Sequence, residues 1–247
     1  RPGREEQCIG PEPGGAAMTA KDFMQGCFIT FEGIDGAGKS THVGACVDWL
    51  RAQGETVVLS REPGGSPLAE RLRELLLTEE MQPQTEALLA FAARSDHLHT
   101  LIRPALAAGQ WVVCDRFTDS TFAYQGGGSD VDTTWLAQLE AQVQDGLQPV
   151  RTYLFDLPPE VAAARRAAVR SADRFEARAL DYFERVRRAY QARVAADPER
   201  FCMLDATATP EQIGRWLQDD LVKVHRRWHE RAASRTGAAD QAGARPS

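Results

Sequence analysis

Residues Phe28 to Thr41 read F-I-T-F-E-G-I-D-G-A-G-K-S-T, and this stretch decides the fold class. A short apolar run (Cys27 to Phe31) meets a glycine-rich turn that ends in Lys39, Ser40 and Thr41. The order is strand, phosphate loop, helix start. The spacing Gly33-x-x-x-x-Gly38-Lys39-Ser40 fits the P-loop pattern in full. Glycines let the backbone turn tightly, so successive N–H groups point at one oxyanion. The helix that follows adds its free N–H groups and the positive end of its dipole. Lys39 supplies a mobile cation for β- and γ-phosphates, and the Ser40 hydroxyl suits Mg²⁺.

The rest of the chain bounds what that loop serves. With 247 residues, 43% of them hydrophobic, the chain suits one α/β domain with a full core plus tails. A net charge of −6 argues against general nucleic-acid binding, so phosphate chemistry must come from local basic clusters. No apolar run approaches a membrane span, and the N-terminal stretch lacks a signal-type apolar segment. Five cysteines occur without a C-x-x-C pair, which points to a reduced, cytoplasmic protein. His97 and His99 are too close in register to share a helix face, which argues against a metal site there. Residues 1–22, rich in Gly, Pro and charge, are expected to be a disordered extension, with Met18 and Met24 as possible starts. Residues 231–247 are expected to form a flexible tail around a domain spanning 23–230.

Between those tails, short β-branched runs alternate with helical patterns. Strands are expected at 27–32, 55–60, 111–115, 150–156 and 201–205. Helices are expected near 39–53, 67–77, 84–108, 132–145, 159–170, 177–195 and 210–229. Gly54 suits the position after the first helix, and Thr209 and Pro210 suit the cap and first turn of the last. In that last helix Ile213, Trp216, Leu217, Leu221, Val224 and Trp228 recur at 3–4 spacing as one buried face. The alternation implies a parallel sheet with helices on both faces. Ligands of such sheets sit at the carboxyl ends of the strands.

Clusters of chemistry do follow the strands. After the second comes Arg61-Glu62-Pro63-Gly64-Gly65-Ser66, a shaped loop holding a cation and a carboxylate, or an ordinary turn into a helix capped by Ser66. Phe91 and Arg94 share a helix face. They read as a base-stacking plane with a guanidinium at its edge, or as a core ring beside a snorkelling arginine. After the third strand, Asp115 lies at the carboxyl edge beside the P-loop, where it can hold Mg²⁺ or its waters. Arg116 next to it can bridge two phosphates bidentately, or the two residues form a structural ion pair. The Ala-rich stretch Arg165 to Arg174, with Arg166 and Arg170 in it, suits a mobile lid (about 162–176) that carries cations over transferring phosphates.

Taken together, F-E-G-I-D-G-A-G-K-S-T, R-E-P-G-G, F-A-A-R, D-R-F-x-x-S-T-x-A-Y-Q-G-G-G, P-E-V, D-R-F-E and L-D-A-T resemble the bacterial thymidylate kinase family over about Phe28 to Trp228, in order and spacing. The resemblance implies a P-loop NTPase-like three-layer α/β/α fold with a five-stranded parallel sheet and a small lid. It implies ATP-dependent phosphorylation of dTMP, Mg²⁺ as cofactor, a homodimer, and no nucleic-acid or membrane partner. Under it, Gly33, Ile34, Asp35, Gly36, Ala37, Gly38, Lys39, Ser40 and Thr41 would bind ATP, with Asp205 and Ala206 near the adenine. Phe91 would stack on thymine and Arg94 would contact the base edge, while Ser120, Thr121 and Gln125 complete the base pocket. Tyr124 would lie beneath the sugar and Asp35 near the 3′-hydroxyl. Arg61, Glu62, Pro63 and Arg116 would frame the monophosphate.

Two positions depart from the family's pattern. Phe117 stands where relatives commonly carry Tyr or His, so a polar tip is missing. Ala37 stands in the P-loop in place of a cation, which assigns the catalytic arginine to the lid, Arg166 or Arg170. The competing classes are a P-loop kinase for another nucleoside monophosphate or a deoxynucleoside, and a switch or motor ATPase. The chain carries neither the N-K-x-D motif of guanine readers nor the L-S-G-G-Q signature of transporter ATPases.

Overall fold

The computed structural model describes residues 25–167 and 180–243. Five strands, β1 (Phe28–Glu32), β2 (Val57–Arg61), β3 (Trp111–Asp115), β4 (Arg151–Asp156) and β5 (Phe201–Asp205), form one sheet in the order β2-β3-β1-β4-β5. Every neighbouring pair is parallel. All the expected strands form, with ends moved by no more than two residues.

Side chains alternate across a strand, so neighbours on β1 serve opposite faces. Ile29 and Phe31 pack with Val43 and Leu50 of α1 (Lys39–Ala52), Val186 of α8 (Leu180–Ala196), and Leu217 and Leu221 of α9 (Pro210–Gly243). Phe28, Val112 and Cys114 pack on the other side with Leu98, Ile102 and Leu106. Helices therefore cover both faces, as the sheet's apolar strands require.

The helix ends follow local chemistry. The Ser66 hydroxyl accepts from the Ala69 N–H (3.3 Å) and caps α2 (Pro67–Thr78). Thr209 and Gln212 form a reciprocal capping box at the start of α9, at 3.3 and 3.1 Å. Two helical expectations need correction. The single helix expected over 84–108 is α3 (Pro83–His97), a π-helical turn (Leu98–Ile102) and α4 (Arg103–Ala107). Pro104 has no N–H to offer and its ring crowds the carbonyl a turn back, so the chain widens there. The last helix does not stop near 229 but runs on to Gly243, into the residues expected as a tail. Trp216, expected on its buried face, is 44% exposed, while Ile213, Leu217, Leu221 and Val224 are buried. The segment 1–22 lies outside the described residues.

No helix was expected between β3 and the helix at 132–145. The chain there forms α5 (Thr118–Thr121) and a second π-helical turn (Phe122–Gly128), ahead of α6 (Thr133–Gln144). Gly127 is needed at its place: a Cβ would sit 2.4 Å from the Ala189 Cβ. The glycine run thus lets α8 press against this turn and carry Tyr182 and Tyr190 toward β3. The remaining helix is α7 (Pro159–Ala167).

Candidate active site

β1 lies in the middle of the sheet, with β3 and β4 on either side. The crevice at the carboxyl ends of β1 and β3 is the place where such a fold takes a ligand. Register pairs Phe31 with Asp115, so the P-loop and the Asp115-Arg116 pair leave the sheet side by side. Gly33 takes φ +131° and Gly38, at the head of α1, φ +85°, values closed to most side chains. Lys39 is buried and its Nζ donates to the carbonyls of Gly33 (2.9 Å) and Ile34 (3.4 Å). Burial, followed by the nearby Arg116 charge, lowers its pKa. Ser40 and Thr41 are exposed at the mouth of the loop.

Arg116 joins the two sides of the crevice. Its Nη2 donates to Asp35 Oδ1 of the P-loop (2.9 Å) and to the Tyr124 hydroxyl (3.2 Å). Its Nη1 donates to Ser120 Oγ (3.2 Å) and the Tyr190 hydroxyl (3.3 Å). Burial opposes its charge, but Asp35 and other neighbours outweigh that and hold its pKa above the usual value. Arg116 adopts φ +69°, a left-handed conformation that costs a non-glycine residue about 1–2 kcal/mol. Strain of this kind persists where surrounding bonds over-determine it.

A pocket with about 810 Å³ of atom-free space, counting its open mouth, runs from Arg116 toward α3. Asp35, Glu62, Pro63, Arg94, Ser120, Thr121, Tyr124 and Gln125 all line it. So does Phe117, whose ring is buried against Phe28 at 5.0 Å. Three expectations are met differently. Arg61 does not reach the pocket: its side chain is 57% exposed and pairs with Glu70 at 3.0 Å. Arg73 of α2 lines the pocket instead, with Nη1 donating to the Pro63 carbonyl (2.8 Å). Glu62 turns its carboxylate inward, accepting from Arg94 Nε (2.8 Å) and bonding His97 Nδ1 (3.0 Å). It therefore orients Arg94 from below. Phe91 is 2% exposed and lies outside the lining, because the Arg94 guanidinium covers its ring at 4.7 Å.

Arg94 is held by Glu62 and by Thr121 Oγ1 (3.1 Å), while its Nη1 is buried with no hydrogen-bond partner. An orphaned charged donor in a pocket wall suits a ligand carbonyl. Gln125 Nε2 donates to Glu86 Oε2 (3.3 Å), which fixes its amide. Asp115 presents a second orphan: its buried Oδ1 accepts no hydrogen bond. A carboxylate oxygen there and the Ser40 hydroxyl are hard donors of the kind that fit Mg²⁺.

Sequence reasoning missed Glu32 and Tyr190. Glu32, at the end of β1, is 0% exposed. It accepts from the Phe117 N–H (2.7 Å), Ser120 Oγ (2.6 Å) and the Tyr190 hydroxyl (2.8 Å). Burial, and next the Asp119 charge, raise its pKa to about 7. The signal was a carboxylate closing an otherwise apolar strand. Arg73 was hidden in an ordinary amphipathic helix.

Asp205 closes β5 and binds the Thr207 N–H and hydroxyl (2.9 and 2.6 Å). The Ala206 carbonyl accepts from Arg165 Nη1 (3.0 Å), so α7 is tied to the β5 end. Two arginines of α8 are tied in ion pairs: Arg187 with Asp156 (2.8 Å) and Arg185 with Asp181 (2.9 Å). The Arg166 side chain and all of Arg170 lie outside the described residues, as does most of the expected lid.

A P-loop with a buried lysine, a bridging arginine and an adjoining pocket defines a nucleotide-dependent phosphotransferase of the P-loop kinase class. The family model for thymidylate kinase matches residues 31–215. The thymidylate kinase of Ralstonia nicotianae is 55% identical over 205 residues, covering 81% of this chain and all of the relative. That of Thiobacillus denitrificans is 56% identical over 200 residues, 79% of this chain and 98% of the relative. The crystal structure of thymidylate kinase from Ehrlichia chaffeensis superposes with a TM-score of 0.61 at 33% identity, covering 72% of this chain and 92% of that one. The chain belongs to the thymidylate kinase family.

Proposed function

We infer that the pocket and the P-loop hold the two substrates of the family's reaction, ATP-dependent phosphorylation of dTMP to dTDP, end to end. What supports this most is Arg116, whose one guanidinium reaches Asp35 of the P-loop and Tyr124 and Ser120 of the pocket. An anion on either side meets the same cation.

A phosphate monoester with a second pKa of about 6 is mostly dianionic at neutral pH, so the acceptor needs no general base. An acceptor phosphate oxygen forms a bond to the γ-phosphorus as the β,γ-bridging P–O bond breaks and ADP departs. The obstacle is repulsion between two anions, and the remedy is positioning and charge neutralisation. Lys39 leaves the Gly33 carbonyl for the β- and γ-phosphates, and Arg116 spans both nucleotides. Arg166 or Arg170 of the lid supplies a further cation. Ser40 and Asp115 would hold Mg²⁺, which would supply neutralisation of the developing phosphate charge.

On the acceptor side, Arg73 and Pro63 frame the monophosphate, and Tyr124 lies beneath the sugar. The free Nη1 of Arg94 meets a thymine carbonyl, with Ser120, Thr121 and Gln125 closing the pocket. As Arg94 turns to the base edge, Phe91 offers the ring face it now covers. Asp205 and Ala206 flank the adenine. The working form is a homodimer in the cytoplasm. Among the described residues no helix is long and apolar enough to cross a membrane.

The test is an acceptor panel of dTMP, dUMP, dCMP, AMP and GMP with ATP and Mg²⁺. Phosphorylation of dTMP above all others is expected. A preference for a purine monophosphate, or ATP hydrolysis indifferent to acceptor, defeats the assignment of the pocket.

A further inference from the structure

The opposite end of the sheet, at the amino ends of β2 and β3, carries a separate cluster. His225 and His229 are one turn apart on α9 and share a face. The Nε2 atoms of both lie 2.7 Å from the same oxygen, Oε1 of Glu55. One ligand atom from each of the three residues lies within 4.8 Å of the other two. Glu55 is fixed by its backbone, whose N–H donates to the Leu50 carbonyl (3.1 Å) just past the end of α1. His225 is fixed by its ring: Trp111 stacks on it (centroids 5.5 Å, 30°) and Trp49 meets it edge-on (5.5 Å, 86°). His229 is the open member, its side chain 53% exposed.

We propose that Glu55, His225 and His229 form a binding site for a zinc-type divalent cation, with two imidazoles and one carboxylate as ligands and water completing the coordination. Two neutral imidazoles and a carboxylate suit zinc, cobalt or nickel and are a poor set for Mg²⁺. Each histidine shifts its ring proton to Nδ1, which frees the Nε2 lone pair for the metal. With metal–ligand bonds of about 2.0–2.1 Å, tetrahedral ligand atoms stand about 3.3 Å apart. The Glu55 oxygen must therefore withdraw by about half an ångström, a side-chain rotation that leaves its pinned backbone in place. The Trp111 and Trp49 rings wall the inner side, while the half-exposed His229 leaves an entry path from solvent.

The site is distinct from the kinase centre. Glu55 precedes β2 and Trp111 opens β3, both at the amino ends of strands whose carboxyl ends face the nucleotides. The two places are a strand's length apart, about 16 Å. A metal here ties the middle of α9 to the α1–β2 turn, so it stabilises the fold without entering the reaction.

Full-length protein stripped with a chelator is titrated with Zn²⁺ by calorimetry, with Mg²⁺ as the control ion. Saturable uptake of a single zinc per chain is expected, together with a higher Tm and no response to Mg²⁺ at this site. H229A and E55Q should each weaken uptake at least about tenfold and abolish the Tm shift while leaving kinase activity unchanged. H229A alters an exposed side chain, so its folding is not at issue. Cobalt should give a visible absorption band in the parent protein and none in H229A. Absence of saturable zinc uptake overturns the proposal. So does uptake undiminished in both variants, which places the ion elsewhere, at Cys202 for instance.

Discussion

The P-loop and the pocket beside it meet at Arg116, yet they are made differently. The P-loop is backbone, complete within residues 33–41, with glycines and a helix start doing the shaping. The pocket is side-chain wiring over long sequence distances. Glu62 reaches Arg94 across 32 positions, Glu32 reaches Ser120 across 88, and Tyr190 reaches Glu32 across 158. A backbone cradle depends little on any one distant side chain. A wired pocket inherits the charge state and the packing of every member.

The sharpest way to break this contrast is at the residue the two regions share. Arg116→Ala should lower kcat by about 10³-fold or more, since charge neutralisation carries the step. Circular dichroism and Tm report whether the fold survives. A folded Arg116→Ala enzyme with near-normal turnover removes the bridge from the mechanism.

Glu32 tests whether the wiring is pH-sensitive. Its folded pKa of about 7 stands above the ordinary carboxylate value of 4.5, so the native state binds its proton more tightly than the unfolded chain. The resulting stability is complete below about pH 4.5 and is lost as pH rises through about 7, at most roughly 3 kcal/mol. Glu32→Gln mimics the protonated form. Its Tm relative to the parent should rise between pH 5 and 8, as read by paired thermal melts. A difference independent of pH contradicts the raised pKa.

Phe91→Ala should raise KM for dTMP by about tenfold or more, the worth of an aromatic face to a base, with little change in KM for ATP. Equal changes for both substrates remove Phe91 and the Arg94 it carries from the base side. The smallest effect belongs to Arg61, an exposed partner of Glu70. Arg61→Ala should change KM for dTMP by only a few-fold, because exposed ion pairs contribute about 1 kcal/mol or less. Arg73→Ala should change it by about tenfold or more, the worth of one charged hydrogen bond. Steady-state kinetics on the pair decides which arginine serves the monophosphate.

Much of this was legible beforehand. The strands, the caps at Ser66 and Thr209, and Gly54 after α1 (φ +91°) all rest on neighbours a few residues apart. Asp115 and Arg116 leave the end of β3 beside the P-loop, where the strand order alone had put them. Arg61 misled because it closes β2 in the same way, yet its side chain turns outward to Glu70 while Arg73, a helix residue, turns in. Glu32 stood out only as a carboxylate closing β1; nothing local says that Ser120 and Tyr190 will converge on it.

The sequence by itself determined the parallel α/β order, the phosphate loop and the family, since each is written in short-range spacing and in the period of apolar residues. Only the tertiary structure decided which arginine enters the pocket, that Glu62 supports Arg94, that Arg94 covers Phe91, and that Glu55 meets two histidines of the last helix. Those outcomes depend on side-chain direction and burial between segments tens to more than a hundred residues apart, which no local pattern encodes.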